Sequence, residues 1–261
     1  MPGHILLEPL GDWARVTLSH PAKLNAIDIA MWQALRAAFE RLQGMAPAQA
    51  PHAVVVCGAE GQFASGGDIA EFAGFRFDEA RLHHFHEEIV APALHAMLAC
   101  DIPSFAQING ACIGGGLEIA ACCDIRICGE SSRFGAPIAK LGFPMAPAEL
   151  KVLSGVVAAP LLREMLLEAR LFDAHAAWRC GLVHEVVADD QVEPVVQRRA
   201  ERLAELSPAA ARLNKQTLRQ IAAGGPTDAE RRAHFGYADS ADHREGITAF
   251  IEKRPPRFQR G

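Results

Sequence analysis

The stretch Asn109-Gly110-Ala111-Cys112-Ile113-Gly114-Gly115-Gly116-Leu117-Glu118-Ile119-Ala120 constrains the fold more than any other part of the chain. A strand pattern from Phe105 to Ile108 enters it, a helix pattern through Glu118 to Cys122 leaves it, and a second strand pattern, Ile125 to Cys128, follows. Three glycines in a row let the backbone turn sharply with its N–H groups uncovered, and the helix behind them adds the positive end of its dipole. A turn built this way holds an anion. Glu118, two residues past the last glycine, has two readings at this point: a carboxylate that complements the helix dipole, or an acid placed for chemistry.

The same order occurs earlier. After two short strand patterns, Ile5 to Leu7 and Ala14 to Leu18, a helix is expected from about Asp28, because Trp32, Leu35, Phe39 and Leu42 recur at three- and four-residue steps. Ala53-Val54-Val55-Val56-Cys57 reads as a fully buried strand ending at Gly58. The loop Phe63-Ala64-Ser65-Gly66-Gly67-Asp68 follows, then a helix from about Asp78 to Leu98. Strands alternating with helices predict an α/β body with buried parallel pairing. From Pro147 the pattern is mainly helical, with breaks at Pro160, Asp173, Pro208 and Gly224-Gly225-Pro226, and one strand candidate, Leu182 to Val187. The expected division is an α/β core over residues 1–195 and a helical region over 196–261.

At 261 residues, half of them apolar, the chain is long enough to bury a core of ordinary globular size. A net charge of −5 with scattered Lys and Arg argues against nucleic acid or a membrane surface as a partner. Met1-Pro2-Gly3-His4 lacks the layout of a secretory signal, and no apolar run is long enough to span a bilayer, so the cytoplasm is the expected location. The seven cysteines lack metal-knuckle or redox spacing and read as reduced core residues. His83, His86 and Glu87 fall on one helical face at a spacing some metal sites use, but no completing ligand is evident. A solvated helix face is the expectation there, with no bound metal or cofactor.

Ser65-Gly66-Gly67 and Gly114-Gly115-Gly116 both follow strand patterns and precede helix patterns, where α/β proteins present ligand sites. Neither matches a phosphate loop, a dinucleotide-binding turn or a nucleophile elbow. Two bare N–H groups aimed at one oxygen would stabilise charge developing on a carbonyl, each worth on the order of 10² to 10³ in rate.

With these motifs in order, the chain resembles the enoyl-CoA hydratase/isomerase (crotonase) family. The resemblance rests on His20-Pro21 with Leu24-Asn25-Ala26, Phe63 to Ile69, Asn109-Gly110 with Gly114 to Glu118, Asp124-Ile125-Arg126, Phe134-Gly135-Ala136-Pro137, Gly181-Leu182-Val183 and Phe250 to Arg254. It implies an α/β, crotonase-like spiral of ββα units with a helical C-terminal trimerisation region, assembled as a homotrimer or a hexamer of two trimers. It also implies acyl-CoA thioester substrates, coenzyme A being part of the substrate, and a lyase of fatty acid metabolism. On this resemblance Glu118 is catalytic, and Gly67 and Gly115 donate the oxyanion-hole N–H groups. Ala22, Leu24, Ala26, Ser65, Asp68 and Ile69 lie along coenzyme A; Phe250 and Lys253 help close that site, in many members from a neighbouring subunit.

The chain departs from the family pattern at one decisive place. The position just after the proline of the Phe-Gly-x-Pro phrase, where hydratases of this family carry a second glutamate, is Ile138, which neither gives nor accepts a proton. Three readings stay open: hydration of a 2-enoyl-CoA by Glu118 alone, another enolate reaction (isomerisation, decarboxylation or retro-aldol cleavage), and non-catalytic acyl-CoA binding. Glu149, eleven positions beyond Ile138, supplies a second acid only if its helix turns inward.

Overall fold

The computed structural model describes residues 2–259. Among the described residues nine strands form two sheets. They are β1 (His4–Leu10), β2 (Trp13–Ser19), β3 (Ala53–Gly58), β4 (Ser104–Ile108), β5 (Ala111–Ile113), β6 (Ile125–Gly129), β7 (Arg133–Gly135), β8 (Phe172–Asp173) and β9 (Glu185–Val187). The main sheet runs β1-β2-β3-β4-β6-β9, with the β1–β2 hairpin antiparallel and every later pair parallel. β5, β7 and β8 make a small second sheet.

The β-branched run of β3 explains its central place. Side chains alternate across a strand, and both faces of this one are covered. Val54 and Val56 enter the large core shared with Trp32, Leu35, Phe39 and Leu42 of the helix Ile29–Gln43. Ala53 and Val55 face the other way, into a second cluster with Trp13, Phe105, Ile127 and the residues Val192, Val195, Val196 and Ala200 of the helix Val192–Ala204. That helix crosses the expected 195/196 division and lays its apolar stripe on the main sheet. Beyond it come the helices Pro208–Ala222, Asp228–His234 and Ala241–Glu252, with Pro208 in the first turn of its helix, where a missing N–H costs nothing.

Several expected elements differ in detail. The helix expected over 78–98 is not uniformly wound: Glu79–His84 and Ala91–Ala99 are ordinary turns, and between them Phe85–Val90 forms a wide turn in which the Ala91 N–H reaches back five residues to the His86 carbonyl. The strand expected over Leu182 to Val187 is reduced to its last three residues, because Leu182 and Val183 are buried in the core ahead of the sheet edge. β5, β7 and β8 have two or three residues each, too short to show a period. All seven cysteines are free thiols, six of them buried.

The small sheet fixes the two glycine loops against each other. Ala64 pairs with β5 through Ala64 N–H to Ala111 O at 2.8 Å and Ile113 N–H to Ala64 O at 3.0 Å. The helix Gly115–Cys122 starts so close to this segment that a Cβ on Gly116 would lie 2.7 Å from the Ala64 carbonyl oxygen, so only glycine fits there.

Candidate functional site

The two glycine turns meet at the head of the helix Gly115–Cys122. A Cβ built on Gly114 would sit 3.6 Å from the Gly66 Cα, and one built on Gly115 would sit 4.0 Å from the Gly67 nitrogen. Neither the Gly67 nor the Gly115 N–H donates to an acceptor among the described residues. Gly115 opens the helix, so its N–H is one of the four that no helical carbonyl can satisfy. Two donors from loops distant in sequence thus stand together at the wall of one cavity.

Glu118 lies one turn into that helix, 5% exposed, and its carboxyl makes no hydrogen bond among the described residues. Position in the first turn alone would favour the carboxylate. Burial decides otherwise: it pushes the Glu118 pKa well above the ordinary carboxyl value, the charge of Glu149 pushes it further, and Arg76 pulls the other way. The helix-dipole role is therefore outweighed, and the site favours the protonated acid.

The cavity encloses about 810 Å³ of empty space, part of it open to solvent. Its apolar wall includes Trp32, Phe72, Phe85, Ile138, Phe143 and Met145, and its charged or titratable side chains are Glu118, Glu149, His86 and Arg76. Ile138 thus faces the cavity that Glu118 faces. The helix Pro147–Ser154 does turn inward: Glu149 and Leu153, four residues apart on one side, are its buried residues. Glu149 is 5% exposed, and its Oε1 lies 2.5 Å from His86 Nδ1. The solvated face expected for His83, His86 and Glu87 holds for His83 and Glu87 but not for His86, which the wide turn rotates toward the cavity. Among the described residues there is no cluster of His, Cys, Asp or Glu arranged to hold a metal.

Arg76 completes the set. Its guanidinium carbon lies 4.0 Å from the Phe72 ring centroid and 3.8 Å from that of Phe143, and its buried Nε has no hydrogen-bond partner. Burial pulls the Arg76 pKa down while Glu149 and Glu118 hold it up.

The loop expected to follow coenzyme A is rigidly built. Ala22, Leu24 and Asn25 all have φ between 49° and 63°. Asn25 pays for that strain by donating to the Ala59 and Gln62 carbonyls and accepting the His20 N–H. Ser65 N–H donates to Leu24 O at 3.1 Å, which docks this loop onto the first glycine turn. Ser65 and Ile69 line the cavity; Ala22 and Leu24 are exposed beside it, and Ala26 is buried. Asp68 does not line the cavity. It caps the helix Ile69–Phe72 and accepts from Lys23 Nζ at 2.6 Å; burial raises its pKa, but Lys23 and the Ala70 N–H outweigh that and hold it below the ordinary value. Phe250 and Lys253 sit at the exposed end of the helix Ala241–Glu252 and do not line the cavity of their own chain.

Fold and site together define an α/β crotonase architecture. A solved structure described as an enoyl-CoA hydratase/carnithine racemase from Magnetospirillum magneticum superposes with a TM-score of 0.93 at 36% identity, over 98% of this chain and 96% of that one. The family model for enoyl-CoA hydratase/isomerase matches residues 12–261, and the chain belongs to that family. Among its relatives, a probable enoyl-CoA hydratase from Rhizobium meliloti is 32% identical over 98% of this chain and 97% of its own length. A 2,3-dehydroadipyl-CoA hydratase from Escherichia coli is 32% identical over 94% of each.

Proposed function

We propose that this chain adds water to a 2-enoyl-CoA thioester, with the enolate oxygen held by the Gly67 and Gly115 N–H groups and Glu118 delivering the proton to C2. The observation that carries the reading is the juxtaposition of those two unspent donors with a buried carboxyl that has no hydrogen-bond partner. As the water oxygen bonds to C3, the C2–C3 π pair moves toward the thioester oxygen, where preorganised N–H groups are worth most. A positioned acid that then protonates C2 contributes about 10² to 10⁴ in rate. Family membership supports the substrate class, and the cavity's apolar wall suits an acyl chain. A trimer, or two trimers stacked, is part of this reading: it would give the 84%-exposed Phe250 a covered position and bring it and Lys253 to a neighbouring chain's coenzyme A.

The test is incubation with crotonyl-CoA and longer 2-enoyl-CoAs while following loss of enoyl-thioester absorbance. Hydration by the wild type that disappears in Glu118→Gln, with CoA-ester affinity retained, supports the reading. Tight binding of CoA esters with no turnover of any enoyl-CoA refutes it in favour of a binding protein.

A further inference from the structure

We propose that Glu149, held by His86, is the catalytic base that takes the proton from the attacking water, supplying from a different helix the carboxylate that Ile138 cannot. This rests on the hydratase reading above, which assigns the proton delivered to C2 but not the one that leaves the water.

The case begins with position. Glu149 and Glu118 line the same cavity, and Ile138 lies on its wall with them. Glu149 arrives on the helix Pro147–Ser154, eleven residues beyond Ile138, so the cavity keeps two carboxyl groups although the chain has lost one at the usual place. The two are near enough for the charge of Glu149 to bear on Glu118. Only one Glu149 oxygen is occupied: Oε1 meets His86 Nδ1 at 2.5 Å, and Oε2 accepts nothing among the described residues.

The plain alternative is a buried pair that pins the helix Pro147–Ser154 to the wide turn Phe85–Val90. Such a pair is a costly fastening, because removing two ionisable groups from water offsets most of their attraction, and apolar residues of similar volume do as well or better. The contacts around it are apolar already. Leu153 on the same helix and Phe85 and Ile89 in the turn are buried in the common core, so the elements are joined without the pair. A carboxylate with one oxygen held and the other unspent on a substrate-sized cavity is the arrangement a base requires.

The environments divide the roles. Glu118, with no hydrogen-bond partner and a like charge nearby, takes the part of the acid; Glu149, with Oε1 against His86 Nδ1 and Oε2 unspent, takes the part of the base. In the forward step the water oxygen bonds to C3, one water O–H bond breaks, and its proton passes to Glu149 Oε2. The C2–C3 π pair moves to the thioester oxygen as an enolate. The enolate then collapses, the Glu118 O–H breaks and a C2–H bond forms. The product is the 3-hydroxyacyl-CoA, with Glu149 neutral and Glu118 ionised. Passage of one proton from Glu149 to Glu118 through cavity water restores the start. His86 is a positioning residue: its contact with Oε1 fixes the rotamer of Glu149.

The experiment compares the wild type, Glu149→Gln, Glu118→Gln and the double variant Ile138→Glu/Glu149→Gln in two assays. One is hydration of crotonyl-CoA; the other is exchange of the C2 hydrogens of butyryl-CoA in D2O, which needs the oxyanion donors and the ionised form of Glu118, a form the loss of the Glu149 charge favours, but no attacking water. Glu149→Gln is expected to lose about 10² to 10⁴ in hydration while keeping exchange, and Glu118→Gln to lose both. Ile138→Glu is expected to restore part of the hydration that Glu149→Gln loses. His86→Leu is expected to lower kcat for hydration while leaving KM and C2 exchange in place, and His86→Asn, which keeps a polar group near the Glu149 carboxyl, to recover part of that loss. Hydration by Glu149→Gln at the wild-type rate overturns the proposal alone, as does loss of hydration and exchange together in that variant. A wild type that exchanges C2 hydrogens but hydrates nothing overturns the hydratase reading and this assignment with it.

Discussion

Replacing Glu118 by Gln should make the protein more stable and much less active, and the stability gain should depend on pH in a direction the site dictates. The carboxyl is 5% exposed, and burial raises its pKa well above the 4.5 of a free glutamate. Between 4.5 and that raised value the folded chain binds a proton that the unfolded chain has released. Stability therefore falls with rising pH across this window, and Glu118 costs most at its upper end. Gln keeps the shape and removes the titration. The gain at neutral pH should be about 0.5–2 kcal/mol, the usual range for relieving one unfavourable feature, at roughly 2–4 °C in Tm per kcal/mol. Activity should drop by about 10² to 10⁴, roughly 3–5 kcal/mol of transition-state stabilisation. The assay is calorimetric Tm of both proteins at about pH 5 and about pH 7.5, read as the difference between them at each pH. A difference that is the same at both values, or a variant less stable than wild type at the higher one, would refute the reasoning.

Gly115→Ala should strike the same site from the other side. Its methyl would lie 2.9 Å from Trp32 Cζ2 and 4.0 Å from the Gly67 nitrogen. Crowding a buried tryptophan should cost about 1–3 kcal/mol in urea unfolding, and blocking the donor pair should cost about 10² or more in kcat. Unchanged kcat would remove these donors from the mechanism. Arg76→Met removes the one neighbouring cation that opposes the rise of the Glu118 pKa, so the alkaline limb of kcat/KM should move to higher pH. A stationary limb would mean the Arg76 charge is screened from Glu118.

Much of this was legible in the chain itself because its signals were local. The spacing of Trp32, Leu35, Phe39 and Leu42 placed one side of a helix in the core, and the run Ala53 to Cys57 placed a strand with both faces covered. The two glycine turns announced themselves by composition, and their meeting followed from the strand–turn–helix order. What was hidden depended on winding and packing. A helical wheel put His86 beside His83 and Glu87, and one wide turn moved it to the cavity. The inward face of Pro147–Ser154 was set by how Leu153 packs, which residue spacing over eight positions does not fix. The pairing of Asp68 with Lys23, 45 positions away, has no local signal either. Arg76 gave no signal, since its place depends on Phe72 and Phe143 closing over it from segments distant in sequence.

The wide turn at Phe85–Val90 uncouples the two segments it joins. In a uniformly wound helix each residue is locked about 100° from the next, so any insertion re-aims everything downstream. A five-residue loop of hydrogen bonding absorbs one extra residue, and the segments on either side become separately adjustable. Glu79–His84 can drift with the demands of the surface while Ala93, Leu94 and Met97 keep their bearing on the core. The turn is thus a joint at which a side chain such as His86 can be swung toward the cavity without disturbing the glycine framework.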